Sequence, residues 1–144
     1  MKCWRCESED NLIYRDRIIK LYLSTEPVTL GHCILTSVEH WPNIENMGES
    51  GYRQIQSSIY QWNGILKKVF QVEDVFILFM NHHEPDEKHV YWHLLPIHKS
   101  VKPDFRYNYT WFGERAKEVN ARSKEQNSAD INIARIALRE YSNE

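Results

Sequence analysis

The chain has 144 residues, 42% hydrophobic and 12% aromatic, which suits one domain with a single core and argues against wholesale disorder. Its formal net charge of −2 comes from 18 basic and 20 acidic residues of interspersed sign, so no broad basic footprint marks a nucleic-acid binder. The opening MKCWRCESEDN lacks the apolar core of a secretory signal, and no window approaches the roughly 18 apolar residues of a membrane span. Three cysteines, two of them in a CxxC, fit reduced thiols or a metal site better than a disulfide framework. A soluble, cytoplasmic protein is expected.

Leu12 to Tyr14 and Arg17 to Leu23 read as two short strands separated by Arg15 and Asp16, and Cys33 to Leu35 reads as a third. Tyr52, Ile55, Ile59, Trp62, Leu66 and Val69 then recur at spacings of three and four. They form one apolar stripe on a helix, with Ser50 as its N-cap. Val75 to Met80 is a compact apolar strand, and His89 to Leu95 is the next, ended by Pro96. Lys99 to Trp111 reads as irregular. A second helix is expected from about Ala129 to Tyr141, capped by Ser128, with Ile131, Ala134, Leu138 and Tyr141 on one side. The order predicts an α+β fold: an antiparallel sheet of about five strands with a long helix and a C-terminal helix packed on it.

The chemistry-bearing residues concentrate in two places. Cys3 and Cys6 have the spacing that lets two thiolates reach one tetrahedral ion. Seven histidines are available to complete such a site, and spacing alone does not choose His40 and His89 over His32, His82 or His83. The second place is HVYWHLLPIH, residues 89–98. On a strand His89, Tyr91 and His93 share one face while Val90, Trp92 and Leu94 share the other, a row of polar groups on an apolar backing. Cys33, Trp62 and Trp92 are expected in the core, His98 on the surface. The aromatic cluster Tyr107 to Phe112 reads as a pocket lining, a partner surface or a tail packed over the core.

Four stretches taken together resemble the histidine triad superfamily of nucleotide hydrolases and transferases. They are CWRC at the amino end, STEPVTLGHCILTSVEH at residues 24–40, FMNHHE at 79–84, and HVYWHLLP at 89–96. The likeness runs from Cys3 to about Pro96, so residues 1–144 are expected to form one such domain, with 97–144 as a C-terminal extension carrying a helix. The resemblance implies a structural zinc ion held by Cys3, Cys6, His40 and His89. It also implies a homodimer, and a nucleoside phosphate bound by Ser24, Asn81, Lys88, Tyr91 and His93.

It further implies that catalysis is lost or strongly reduced. In the family the middle triad histidine attacks the α-phosphate and forms a nucleotidyl-histidine; that position is Tyr91 here. Neutral imidazole is abundant at pH 7, whereas an ordinary phenol is only about 0.1% ionised. The family's ribose-facing aspartate aligns with Ser24, and its glycine-glutamine-serine stretch is replaced by Pro85-Asp86-Glu87-Lys88. The leading expectation is a zinc-stabilised nucleotide-binding protein. Its alternatives are an active nucleoside-phosphate hydrolase or transferase, using His93 with Tyr91 or with a loop histidine (His82, His83), and a non-catalytic protein-interaction module.

Overall fold

A computed structural model describes residues 3–80, 88–101 and 110–142. In chain order the elements are helix α1 (Trp4–Glu7), strands β1 (Leu12–Arg15), β2 (Ile19–Leu23) and β3 (Cys33–Ser37), helix α2 (Ile44–Phe70), strands β4 (Asp74–Met80) and β5 (Tyr91–Ile97), and helices α3 (Trp111–Ala121) and α4 (Lys124–Ser142). The five strands form one sheet in the order β1-β2-β3-β5-β4, with antiparallel pairing throughout. This is the expected α+β architecture.

Alternation along the strands gives the sheet two different faces. Ile19, Leu21, Leu23, Cys33, Leu35, Val90, Trp92 and Leu94 point into the main core. There they meet Met47, Ile55, Ile59, Trp62 and Leu66 of α2, and Ile131, Ala134 and Leu138 of α4. The apolar stripe of α2 is therefore buried as expected, except that Tyr52 at its start is 38% exposed. The other face carries two cross-strand rows, Lys20–Thr36–Tyr91–Met80 and Tyr22–Ile34–His93–Leu78. All five residues of β2 are buried, so that second face is covered as well. Its cover is α1 at one end and, at the other, a smaller core where Trp111, Phe112 and Ala116 of α3 pack with Val28, Leu95 and Ile97.

Several boundaries differ from expectation for identifiable reasons. Ser50 is not an N-cap: α2 starts at Ile44, where Asn46 Oδ1 accepts the Asn43 N–H at 2.9 Å, and the helix kinks at Gly48 (φ 68°, ψ 170°). A residue with positive φ is tolerated there because it lacks a Cβ. Pro96 does not end β5, which continues to Ile97 opposite Val75 and Asp74. Pairing with β3 stops at Leu94, so one side of β5 has no ladder for a proline to break beyond that point. Ser128 is not a cap either; α4 begins at Lys124, and Ser123 Oγ accepts the Gln126 N–H at 3.2 Å. Helix α3 was not expected at all. Only Trp111 and Val119 of its eleven residues are buried, too few to print a helical stripe on the sequence.

Candidate metal centre and triad face

Folding α1 back against the sheet brings Cys3 and Cys6 to His40, in the connection after β3, and to His89, just before β5. Cys3 Sγ lies 3.3 Å from His89 Nδ1, Cys6 Sγ lies 3.2 Å from His40 Nδ1, and Cys6 Sγ lies 3.5 Å from His89 Nδ1. The four candidate ligand atoms all fall within 4.8 Å of one another. A tetrahedral zinc with S and N ligands separates neighbouring ligand atoms by about 3.5 Å, so the group fits such an ion. The surroundings of His89 complete the fit. Its Nε2 stands 2.9 Å from the Ser37 carbonyl and 3.0 Å from Ser37 Oγ. Donation to the carbonyl places the proton on Nε2 and turns the Nδ1 lone pair toward the sulfurs. Burial holds His89 down to about 4, which keeps the ring neutral for ligation. Burial, with Cys3 adding to it, pushes the Cys6 thiol up to about 11, a preference that a divalent ion between the sulfurs would invert. Among the described histidines the structure thus brings His40 and His89 to the two cysteines. His82 and His83 lie outside the described residues, and His32 is committed elsewhere.

Next to this group on the same face stand Tyr91 and His93, with ring centroids 5.4 Å apart. Tyr91 is 7% exposed. His93 meets His32, whose Nε2 lies 2.8 Å from His93 Nδ1. The Val28 N–H donates to His32 Nδ1 at 3.1 Å, so a neutral His32 carries its proton on Nε2 and donates it to His93. That leaves the His93 proton on Nε2. Burial drives His32 well below its ordinary range and lowers His93 to about 4, with Arg5 adding to the latter. His93 is therefore a neutral N–H donor at pH 7, fit to bind an oxyanion and not to abstract a proton at Nε2.

The His32 partnership was not drawn from the sequence, although GHC, followed by a strand paired to the triad strand, holds the signal. Gly31, just before His32, has φ +90°, and a Cβ there would sit 2.6 Å from the Phe70 ring. Two further contacts were also missed. The Arg5 guanidinium carbon lies 3.5 Å from the Tyr91 ring centroid. Phe112 of α3 sets its ring 5.0 Å from that of His93.

The remaining expected positions divide. The Ser24 N–H donates to the His32 carbonyl at 3.0 Å, so Ser24 adjoins the histidine pair, while its Oγ accepts the Glu26 N–H at 3.2 Å. Lys88 is half-buried before His89, and among the described residues no hydrogen bond or ion pair joins it to the histidines. Asn81 lies outside the described residues, as do Tyr107 to Tyr109. Cys33, Trp62 and Trp92 are buried as expected. His98 is half-buried and its Nε2 bonds the Leu30 carbonyl at 2.8 Å, so it braces the loop before His32.

The neutral histidine pair gives a pH prediction. A histidine at about 4 when folded and near 6.5 when unfolded takes up its proton in the unfolded chain first. Stability is therefore full above about pH 6.5 and falls as pH drops from there toward 4. For His93 the loss between pH 7 and pH 5 should be on the order of 1–2 kcal/mol, read as a lower urea midpoint. His93→Gln should show a smaller drop over the same interval; an equal drop would place the effect elsewhere.

Residues 1–109 match the model of the family described as "Protein similar to CwfJ C-terminal". No curated protein sequence matches the chain. Among solved structures, a hypothetical histidine triad nucleotide-binding protein from Sulfolobus tokodaii superposes with TM-score 0.64 at 17% identity, over 96% of this chain and 93% of that one. A Zn-bound histidine triad family protein from Mycobacterium smegmatis gives 0.62 at 15% identity, over 99% and 97%. Plasmodium falciparum diadenosine triphosphate hydrolase, in complex with cyclomarin A, gives 0.61 at 15% identity, over 92% and 79%. The fold is that of the histidine triad proteins, and Cys3, Cys6, His40 and His89 form a group that could hold a metal ion.

Proposed function

The chain belongs to the family of proteins similar to the CwfJ C-terminal region, and from that premise we propose that it is a zinc-stabilised nucleotide-binding protein whose nucleotidyl hydrolase or transferase activity is lost or strongly reduced. One observation carries the proposal. On a single strand face a phenol stands between a metal-site histidine and a neutral N–H donor, where a reactive imidazole would have to stand. The face keeps groups that bind a phosphate and lacks the one that would attack it. Zinc joins Cys3, Cys6, His40 and His89, has no open position, and ties the amino end to the sheet. Ser24, Asn81, Lys88, Tyr91 and His93 form the nucleotide site, in one domain that runs through residues 1–144.

The protein acts as a homodimer. Strand β4 is a seven-residue edge with Ile77 41% and Met80 36% exposed, an edge suited to pairing with a second copy. Among the described residues no helix is long and apolar enough to cross a membrane. The catalytic half of the proposal is tested by incubating the zinc-loaded protein with adenosine phosphoramidate and with a dinucleoside polyphosphate. No product above the uncatalysed rate is expected. Turnover that His93→Ala abolishes would replace this reading with that of an active hydrolase.

A further inference from the structure

Away from the residues assigned to the metal and the nucleotide, α4 and the β1 edge of the sheet enclose a trough. Three cavities of about 580, 410 and 200 Å³ make it up, and neighbouring ones share walls. The first and second meet at Arg135, the second and third at Ile13, Leu138 and Ser142. Together they follow α4 from Lys124 to Ser142, a length of about 28 Å at the helical rise of roughly 1.5 Å per residue. An extended chain covers that distance in roughly eight residues.

The chemistry changes along the trough. At the Ser142 end Ile13 and Tyr14 of β1, Ile65 of α2 and Tyr141 of α4 stand over a buried floor of Trp62 and Leu138. The Tyr14 ring, 38% exposed, lies 5.4 Å from that of Trp62. This end has room for one bulky apolar side chain. From there to the other end the lining is cationic. Arg139 and Lys124 are exposed, and among the described residues no hydrogen bond or ion pair engages either. Arg135 commits Nη1 and Nη2 to the neutral amide oxygens of Asn132 and Asn11, at 2.8 and 2.9 Å, so its charge is not cancelled. A further cation, Arg122, is paired with Asp130 at 3.2 Å. The lining itself offers one carboxylate, Glu26.

We propose that this trough docks an extended acidic segment of a partner protein, anchored by one bulky apolar side chain in the Trp62 pocket. The segment's carboxylates lie along Arg139 and Lys124, in the field of Arg135. Buried aromatic pockets beside arginines are where binding energy concentrates at protein interfaces. Charge complementarity selects the segment, because a basic one would meet the uncancelled cations. Strand addition to β1 is not the mode. That strand has four residues and its register shifts between Leu12 and Tyr14, both of which discourage pairing along a free edge. Recognition therefore falls to side chains, and it is independent of the nucleotide reading, whose residues it does not use.

Panning a phage-displayed library of random peptides on the zinc-loaded protein supplies the probe. Enriched sequences should combine a bulky apolar residue with several acidic ones. A synthetic copy should bind once per chain, and more weakly as salt rises. Two exposed positions report on the two halves of the trough. Gln61→Trp, which fills the apolar pocket from its rim, should weaken the peptide at least about 10-fold. Arg139→Glu should weaken it several-fold and flatten the salt dependence. In the wild type the Trp62 indole N–H resonance should shift as peptide is added, a readout that needs no variant. A library that enriches nothing, or only peptides without acidic residues, would overturn the proposal. So would an affinity that neither variant changes. Displacement of the peptide by AMP would move it to the triad face, and a dimer that Gln61→Trp dissociates would seat a second copy in the trough; either result would also overturn it.

Discussion

Stripping the ion with a chelator, or replacing Cys3 by serine, should lower the guanidinium midpoint of unfolding more than any surface change. The four ligands come from three separate parts of the chain, and their contacts join residues 34, 83 and 86 positions apart. Closing loops of that length costs entropy, which a single ion recovers across all of them at once. An ion that binds only the folded state adds about 4 kcal/mol when its free concentration is a thousandfold above its Kd. After its removal α1 is still tied to the sheet by the bonds from Lys20 and Tyr22 and by Arg5 over Tyr91, but no longer to His40 and His89 through the ion. Tryptophan fluorescence during unfolding, with and without chelator, measures the difference. Coincident curves would show that the four residues hold no structural metal.

Tyr91→His should raise turnover well above that of the wild type. At pH 7 an imidazole is largely neutral and nucleophilic, while an ordinary phenol is almost wholly protonated, a difference on the order of 10³ in available nucleophile. The substitution also replaces a product ester that resists water with a phosphoramidate that does not. Around position 91 the supporting groups are already present. His93 offers an N–H from a tautomer fixed by His32 and Val28, and Arg5 brings a positive charge. Adenosine phosphoramidate hydrolysis should therefore rise at least about 100-fold over the wild type. An inert but folded variant would show that the loss extends past the nucleophile. Ser24 in place of a carboxylate and the altered residues 85–88 would then be the next positions to restore.

These outcomes depend on features that the sequence displays unequally. Strand alternation was legible because period-2 patterning survives wherever one face is apolar, as in Val90, Trp92 and Leu94. The stripe of α2 was legible for the same reason at period 3.6. The metal group needed the family resemblance, since spacing points to Cys3 and Cys6 but not to partners brought in by the fold. Helix α3 stayed hidden because it is held at few points: two buried residues, and Arg115 Nε donating to the Val28 carbonyl at 3.2 Å. Arg5 was missed for a more general reason. Nothing local marks a charged residue in a CxxC turn as buried; its burial arises when that turn folds onto Lys20, Tyr22 and Tyr91, which are remote in sequence. The His32–His93 pair is likewise a cross-strand event, with residues 61 apart.

The central claim is that the face around Tyr91 binds a nucleotide without consuming it. Calorimetric titration of AMP, and of GMP for comparison, into zinc-loaded wild-type protein tests it most directly. Saturable binding of one nucleotide per chain with a Kd below the millimolar range is expected, with unchanged nucleotide recovered afterwards. No heat of binding at millimolar ligand would contradict it.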